Sequence, residues 1–400
     1  MTGLYEPSRH ETLAGVAWDA GAAQAAIGRI VADTRKAFAA QALWPIHPDD
    51  GPAEWGALAG LYFGAAGVIW ALDYLQRQGA APEGQNFTET LSDIQGRNAR
   101  FIAAFGNMTS GYMLGDTGVL LVRWRIEGDQ AILDRLESLI TSNTEAPAQE
   151  LMWGSPGTML AALTLHKATG EPRWGELFRA SATSLRTMFR QDRTLRARIW
   201  TQDLYGQCQR FIGALHGLAG NAYVLWRGRD LLGPHAWRTW EREIAETVRV
   251  TATREGELAN WPQQLGERSG GNPGVMLVQH CHGSPGMITS LAGFGPELDE
   301  LLAAAGELTW RAGPLTKGAN LCHGTAGNGY ALLKLYERTG SDLWLERARA
   351  LAMHAIAQSE TRAAQVGRRR YSLWTGDLGL ACYLWDCIQA QARFPTLDVL

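Results

Sequence analysis

The sequence predicts an all-α protein, an (α/α)7 toroid of seven inner and seven outer helices. Three observations carry that expectation. A G-x-x-G motif opens an apolar run seven times, at Gly64/Gly67, Gly115/Gly118, Gly154/Gly157, Gly217/Gly220, Gly283/Gly286, Gly324/Gly327 and Gly376/Gly379. An amphipathic run precedes each copy, with apolar residues at helical spacing and charges opposite. Alternation of the kind that marks strands is nearly absent.

The runs ahead of the motifs, such as GAAQAAIGRIVADTRKAFAAQ, ETLSDIQGRNARFIAAF, GELFRASATSLRTMFR and ERARALAMHAIAQ, are the more charged set. The runs behind them, AAGVIWALDYL, GLAGNAYVLW, AGNGYALLKLY and LGLACYLWDCI, are apolar around most of their surface. A helix of that kind is buried, so the second set is placed inside and the first outside. Neither terminal pair resembles the polar cap that an open solenoid needs, which favours a closed ring. Residues 1–400 are then read as one domain, against the prior that length alone suggests. Glycines at i and i+3 share one face of a helix's first turn and let crowded helices approach. Seven helix N-termini would gather at one end of the ring, where unpaired N–H groups and dipoles favour an anion.

Bulk properties exclude several classes. The chain has 400 residues, 46% apolar and 19% charged, and a net charge of −3, which gives no reason to expect nucleic acid as a partner. No apolar run is long enough for a transmembrane segment. The start, MTGLYEPSRH, lacks a secretory pattern. Five cysteines, an odd and low number, point to a reducing cytoplasm rather than a disulfide framework.

Aligning the seven copies on the first glycine gives the site. One residue before it stand Phe63, Leu114, Trp153, His216, His282, His323 and Thr375. Two residues before it stand Tyr62, Met113, Met152, Leu215, Cys281, Cys322 and Trp374. A ring makes these positions neighbours, so Cys281 and Cys322 meet although forty-one residues apart in sequence (322 − 281). Two thiolates and an imidazole suit Zn2+, and three protein ligands leave its fourth position open for chemistry. The expected ligands are Cys281, Cys322 and His323. His282 competes as third ligand and otherwise belongs to the catalytic group; His216 is left free for proton transfer. A cysteine before a helix is ordinarily buried filler, and Cys208, Cys382 and Cys387 are read that way. Asp116 and Asp377 are expected to complement helix N-termini. His280 is ambiguous, a support behind the site. Arg368, Arg369 and Arg370 are read as a solvated loop. The long stretches 192–214 and 257–280 are candidate substrate loops or plain connectors.

These residues carry a resemblance. GALHGLAG around His216, HCHGSPG around Cys281 and KGANLCHGTAGNGYALL around Cys322, with NWP at 260–262 and YSLWTGDLGLACYLWD at 371–386, are similar to the lanthionine synthetase C-like family. The match runs through all seven motifs and looks closer to the free-standing, glutathione-using branch than to lantibiotic cyclases. The cyclases carry Tyr and Arg where this chain has His282 and Leu277, and their active-site Asp of the third repeat has no evident match before Gly154. The resemblance implies the (α/α)7 toroid and zinc on Cys281, Cys322 and His323. It also implies addition of a thiol, from glutathione or a peptide cysteine, across the double bond of dehydroalanine or dehydrobutyrine in a dehydrated peptide or protein. His216 would be the general acid, and Lys317, which matches a lysine of the glutathione-using branch, would hold a glutathione carboxylate or the developing enolate. Two rivals belong to other classes. A carbohydrate-active toroid enzyme would need paired carboxylates about 5–10 Å apart, and no Asp/Glu pair recurs in register. A scaffold binding zinc and glutathione without turnover would share every residue named.

Overall fold

The structure, a computed structural model, describes residues 3–103, 108–266 and 276–400. Helices dominate these residues. They are α1 (Ala20–Ala37), α2 (Ala65–Arg77), α3 (Thr88–Ala103), α4 (Asp116–Glu127), α5 (Gln130–Asn143), α6 (Ser155–Thr169), α7 (Pro172–Met188) and α8 (Leu218–Arg227). There follow a single-turn α9 (Arg229–Leu232), then α10 (Pro234–Thr251), α11 (Ser284–Leu291), α12 (Asp299–Ala312), α13 (Thr325–Thr339), α14 (Asp342–Val366) and α15 (Asp377–Gln389).

Every inner helix begins one residue after the first glycine of a motif, and that glycine is its N-cap: α2, α4, α6, α8, α11, α13 and α15 start behind Gly64, Gly115, Gly154, Gly217, Gly283, Gly324 and Gly376. These seven pack in a closed cycle, each against the next, with α15 returning to α2. The amphipathic α1, α3, α5, α7, α10, α12 and α14 lie outside them, and α1 closes the outer layer against α14 and α15. The architecture is the expected seven-and-seven α/α toroid.

Backbone hydrogen bonds bind the loops that enter the inner helices into a hoop. Tyr62 N donates to Met113 O at 3.0 Å, Met113 N to Met152 O at 3.2 Å, and Leu151 N to Leu215 O at 3.0 Å. On the other side Cys281 N donates to Cys322 O, Cys322 N to Trp374 O and Trp374 N to Tyr62 O, each at 3.0 Å. Repeats one to four, and five through seven back to one, are therefore joined by backbone hydrogen bonds at or beside the positions aligned in sequence.

The second glycine of each motif has a sharper reason than helix crowding alone. A Cβ on Gly327 would lie 1.9 Å from the carbonyl oxygen of Leu321, and one on Gly286 2.0 Å from that of His280. The equivalent carbonyl stands against the second glycine in all seven copies. The chain thus folds back onto its own helix, and no side chain fits between. Gly327→Ala is expected to destabilise the fold by about 1–3 kcal/mol or more through overpacking, read as a lower urea midpoint at unchanged slope.

Three short hairpins depart from the sequence reading. Residues 190–209 form two short antiparallel hairpins, β1 (Arg190–Asp192) with β2 (Ala197–Ile199) and β3 (Gln202–Leu204) with β4 (Gln207–Gln209). A third pairs β5 (Thr253–Glu255) with β6 (Leu258–Asn260). Three-residue strands are too short to show alternation, so sequence gave no strand signal there. Within the candidate loop 257–280, residues 267–275 lie outside the described residues.

The C-terminal segment fills the ring's axis. Phe394 is fully buried between the rings of His280 (centroids 4.4 Å apart), Tyr330 (4.7 Å) and Trp374 (5.2 Å). Tyr112 Oη donates to Thr396 O at 2.6 Å, and Trp374 Nε1 to Thr396 Oγ1 at 3.0 Å. Beyond it, Asp398 accepts from Tyr223 Oη at 2.7 Å and Arg227 Nη1 at 2.9 Å, and pairs with Lys334 Nζ at 3.1 Å. The tail is the floor beneath the hoop. Among the described residues no helix is long and apolar enough to cross a membrane.

Candidate functional site

The site lies at the mouth, where the inner helices begin. Cys281 and Cys322 are buried there, and their side chains share a hydrogen bond. The hydrogen bond from Cys322 pulls the Cys281 thiol below its ordinary range, and Gln279 Nε2, 3.0 Å from its sulfur, adds to this. Burial pushes Cys322 the other way, well up, and sharing one charge with Cys281 raises it further. Tyr62 hydrogen-bonds the Cys322 side chain from repeat one, past repeat seven.

His216 stands beside this pair, and the carboxylate behind it is Glu150. Glu150 is fully buried. Its oxygens accept from the backbone N–H groups of Met152 (3.0 Å) and Trp153 (2.6 Å), and from His216 Nδ1 at 2.9 Å. The turn entering α6 therefore fixes the carboxylate, and the carboxylate fixes the imidazole with Nε2 as its free nitrogen. Burial alone would lower the His216 pKa, but the hydrogen bond and charge of Glu150, with Cys281 adding, lift it above 6.5. Sequence reasoning missed Glu150 because it sought an aspartate; a carboxylate four residues before Gly154 was the available signal.

His282 packs parallel to His216 with centroids 6.3 Å apart, and its Nε2 lies 3.2 Å from Gln263 Nε2. His323 lines a neighbouring cavity of about 770 Å³, together with Lys317, His47, Arg362, Arg370 and Asp377. Burial, with Lys317 and Arg370 nearby, lowers the His323 pKa to about 4, so the ring is neutral. Lys317 is exposed at the cavity, and its charge reaches Cys281, Cys322 and His323. Among the described residues no group of three or more His, Cys, Asp and Glu side chains is gathered to hold a metal ion. The structure brings the two thiols together and leaves His323 facing the cavity. The donor chemistry fits zinc all the same: two buried thiols in contact, followed directly in chain by an imidazole held in the neutral form that ligation requires.

Other expectations sort cleanly. His280 does not support the site; it is buried in the axis against Phe394, and burial lowers its pKa to about 3. Cys382 and Cys387 are buried in α15, as expected of filler, while Cys208 is exposed on β4. Asp116 and Asp377 are the first residues of α4 and α15. The three arginines are not a solvated loop. Arg369 is 4% exposed, bonded to Asp33, Ser359 and Glu360, and Arg370 is bonded to Asp50, which also accepts from Thr375 at the mouth. Glu360 is nine residues from Arg369, but Asp33 and Asp50 lie more than three hundred residues away, on α1 and the loop after it, beyond the reach of local pattern.

Known proteins resemble this chain in sequence and in fold. The LanC-like protein GCL1 of Arabidopsis thaliana is 34% identical over 201 residues, covering 48% of this chain and 44% of that protein. Glutathione S-transferase LANCL1 of Danio rerio is 31% identical over 198 residues, covering 48% and 46%. The chain thus spans a little under half the length of the curated relatives it matches. Among solved structures, nisin cyclase superposes with a TM-score of 0.56 at 14% identity, over 82% of this chain and 88% of that one, which is a likeness of fold. The pattern of the lanthionine synthetase C-like protein family matches residues 58–399, from the first glycine motif to the plug in the ring's axis, and the chain belongs to that family.

Proposed function

We propose that the protein joins a thiol to the β-carbon of a dehydroalanine or dehydrobutyrine residue in a dehydrated peptide or protein, forming a thioether, with the seven repeats acting as one domain. The observation that carries this reading is the buried Cys281–Cys322 pair beside a histidine oriented by Glu150. Cys281, Cys322 and His323 would hold zinc, which supplies acidification of the incoming thiol. A free thiol has a pKa of about 8.5 and is a poor nucleophile at neutral pH, so the reaction needs such help.

The chain's own residues then do the rest. The thiol loses its proton to solvent, its sulfur bonds to the β-carbon, the double-bond electrons move toward the substrate carbonyl, and the α-carbon takes a proton from His216, which solvent then reprotonates. His216 Nε2–H is the donor, kept protonated by Glu150. The inner-helix N-termini face the developing enolate and stabilise its charge. His282, stacked on His216, limits how that ring turns. Lys317 and the cavity beside His323 suit a carboxylate-bearing thiol, and glutathione is the donor we favour, because one relative is named a glutathione S-transferase. Free thiols at all five cysteines agree with a reducing, cytoplasmic setting.

Incubating the zinc-loaded protein with glutathione and a dehydroalanine peptide should yield a product heavier by one glutathione. Cys322→Ala should abolish it and lower bound zinc from about one per chain. A full yield from Cys322→Ala would sink the reading. Offering peptide cysteine instead of glutathione in the same assay identifies the donor.

A further inference from the structure

A site that admits an electrophilic alkene next to thiols has a problem of its own making. On the reading proposed above, Cys281 and Cys322 are free, buried thiols at the place where the alkene enters. Attack by either on the β-carbon would form an S–C bond, move the double-bond electrons to the α-carbon and end in protonation there. The product is a thioether on the protein itself, and turnover stops.

We propose that Tyr62 and Gln279 protect the two sulfurs from this reaction, each by hydrogen-bonding the lone pair that would attack. The proposal rests on the reading of the mouth as the place where a dehydro residue meets a thiol. Both donors are held so that they have little else to do. Tyr62 is 7% exposed, and its ring lies parallel to Trp374 with centroids 5.8 Å apart and edge-on to Phe63 at 5.2 Å. Its backbone is tied at both ends of the hoop, to Met113 and Trp374. From there its hydroxyl meets Cys322. Gln279 is 5% exposed, exchanges both backbone hydrogen bonds with His282, and sets Nε2 3.0 Å from the Cys281 sulfur. Each sulfur thus has a donor of its own: Tyr62 reaches Cys322 from repeat one, and Gln279 reaches Cys281 from the turn just before it. Donors placed behind ligand atoms tune their basicity, and here the tuned property is nucleophilicity.

The test follows the proteins by mass. Zinc-loaded wild type, Tyr62→Phe and Gln279→Met are exposed to N-acetyl-dehydroalanine methyl ester, and adducts at each cysteine are timed by peptide mapping, with zinc content measured alongside. Wild type should be modified at the exposed Cys208 alone. Tyr62→Phe should gain an adduct at Cys322 about ten-fold faster than wild type, the scale of one charged hydrogen bond, and lose zinc as it accumulates. Gln279→Met should do the same at Cys281. Equal rates at both sulfurs in all three proteins overturn the proposal. So does simultaneous labelling of the buried Cys382 and Cys387, which reports a loosened fold instead of lost protection. The glutathione assay is run separately. Its failure would remove the proposed reaction and leave the ratio of adduct rates to decide this point.

Discussion

Asp398→Ala is expected to destabilise the fold by about 3–5 kcal/mol, the cost of leaving buried partner charges uncompensated. Burial would raise the Asp398 carboxyl, but Lys334 and Arg227 beside it hold it below the usual range, so it is charged in the native ring. Its loss strands Lys334, of which 9% is exposed, and half of the Arg227 fork. Glu337, 3.3 Å from Lys334, is a partial replacement and keeps the effect from being larger. Because the folded carboxyl pKa is depressed, its contribution is present above the unfolded value of about 3.9 and is lost as pH falls through the folded one. Urea melts of Asp398→Ala and wild type at pH 7 and pH 3 check both statements: the gap should narrow in acid. An equal gap at both pH values would assign the loss to packing.

The same segment shows where sequence stops being informative. RFPTLDVL has no period and no motif, so nothing in it says that it turns back into the ring. Its meaning comes from Tyr112, Tyr223, Lys334 and Trp374, four residues from four repeats that converge only once the ring closes. The repeat itself was legible, because a glycine forced by a carbonyl 1.9–2.3 Å from its missing Cβ leaves the same trace seven times (Gly327, Gly379). Register made Cys281, Cys322 and His216 visible for the same reason. It could not separate His280 from His282. They are two positions apart, yet one enters the axis and the other faces His216. Nor could it orient His323, which follows Cys322 and turns toward the cavity. The roles of Glu150, Tyr62 and Gln279 were not legible, because the partner that gives each its role (His216, Cys322 and Cys281) is set by the local turn or by a distant repeat.

Glu150→Gln should therefore be the most instructive change at the mouth. His216→Ala removes the proposed proton donor and is expected to lower kcat by about 10²–10⁴, the usual share of general acid–base catalysis. Glu150→Gln keeps the size, and its amide oxygen can still accept from Met152 or Trp153. What it loses is the charge that holds the His216 proton. Two opposing causes act on that proton: burial lowers the pKa, and Glu150 raises it by more. With Gln in place burial prevails, apart from the smaller pull of Cys281, and the imidazole gives up its proton at lower pH. The proposed mechanism needs the acid form, so the falling limb of kcat against pH is expected above 6.5 in wild type and should move to lower pH in Glu150→Gln. At pH 7 the variant should be slow, and acidifying the assay should recover part of the rate. KM for the dehydro peptide should move less than kcat, because the lost interaction matters as charge develops rather than on binding. Zinc content should stay at the wild-type level, since neither residue touches the Cys281–Cys322 pair except through charge. An unshifted limb with the same kcat would place the proton donor elsewhere, and His282, stacked against His216, would be the next residue to replace.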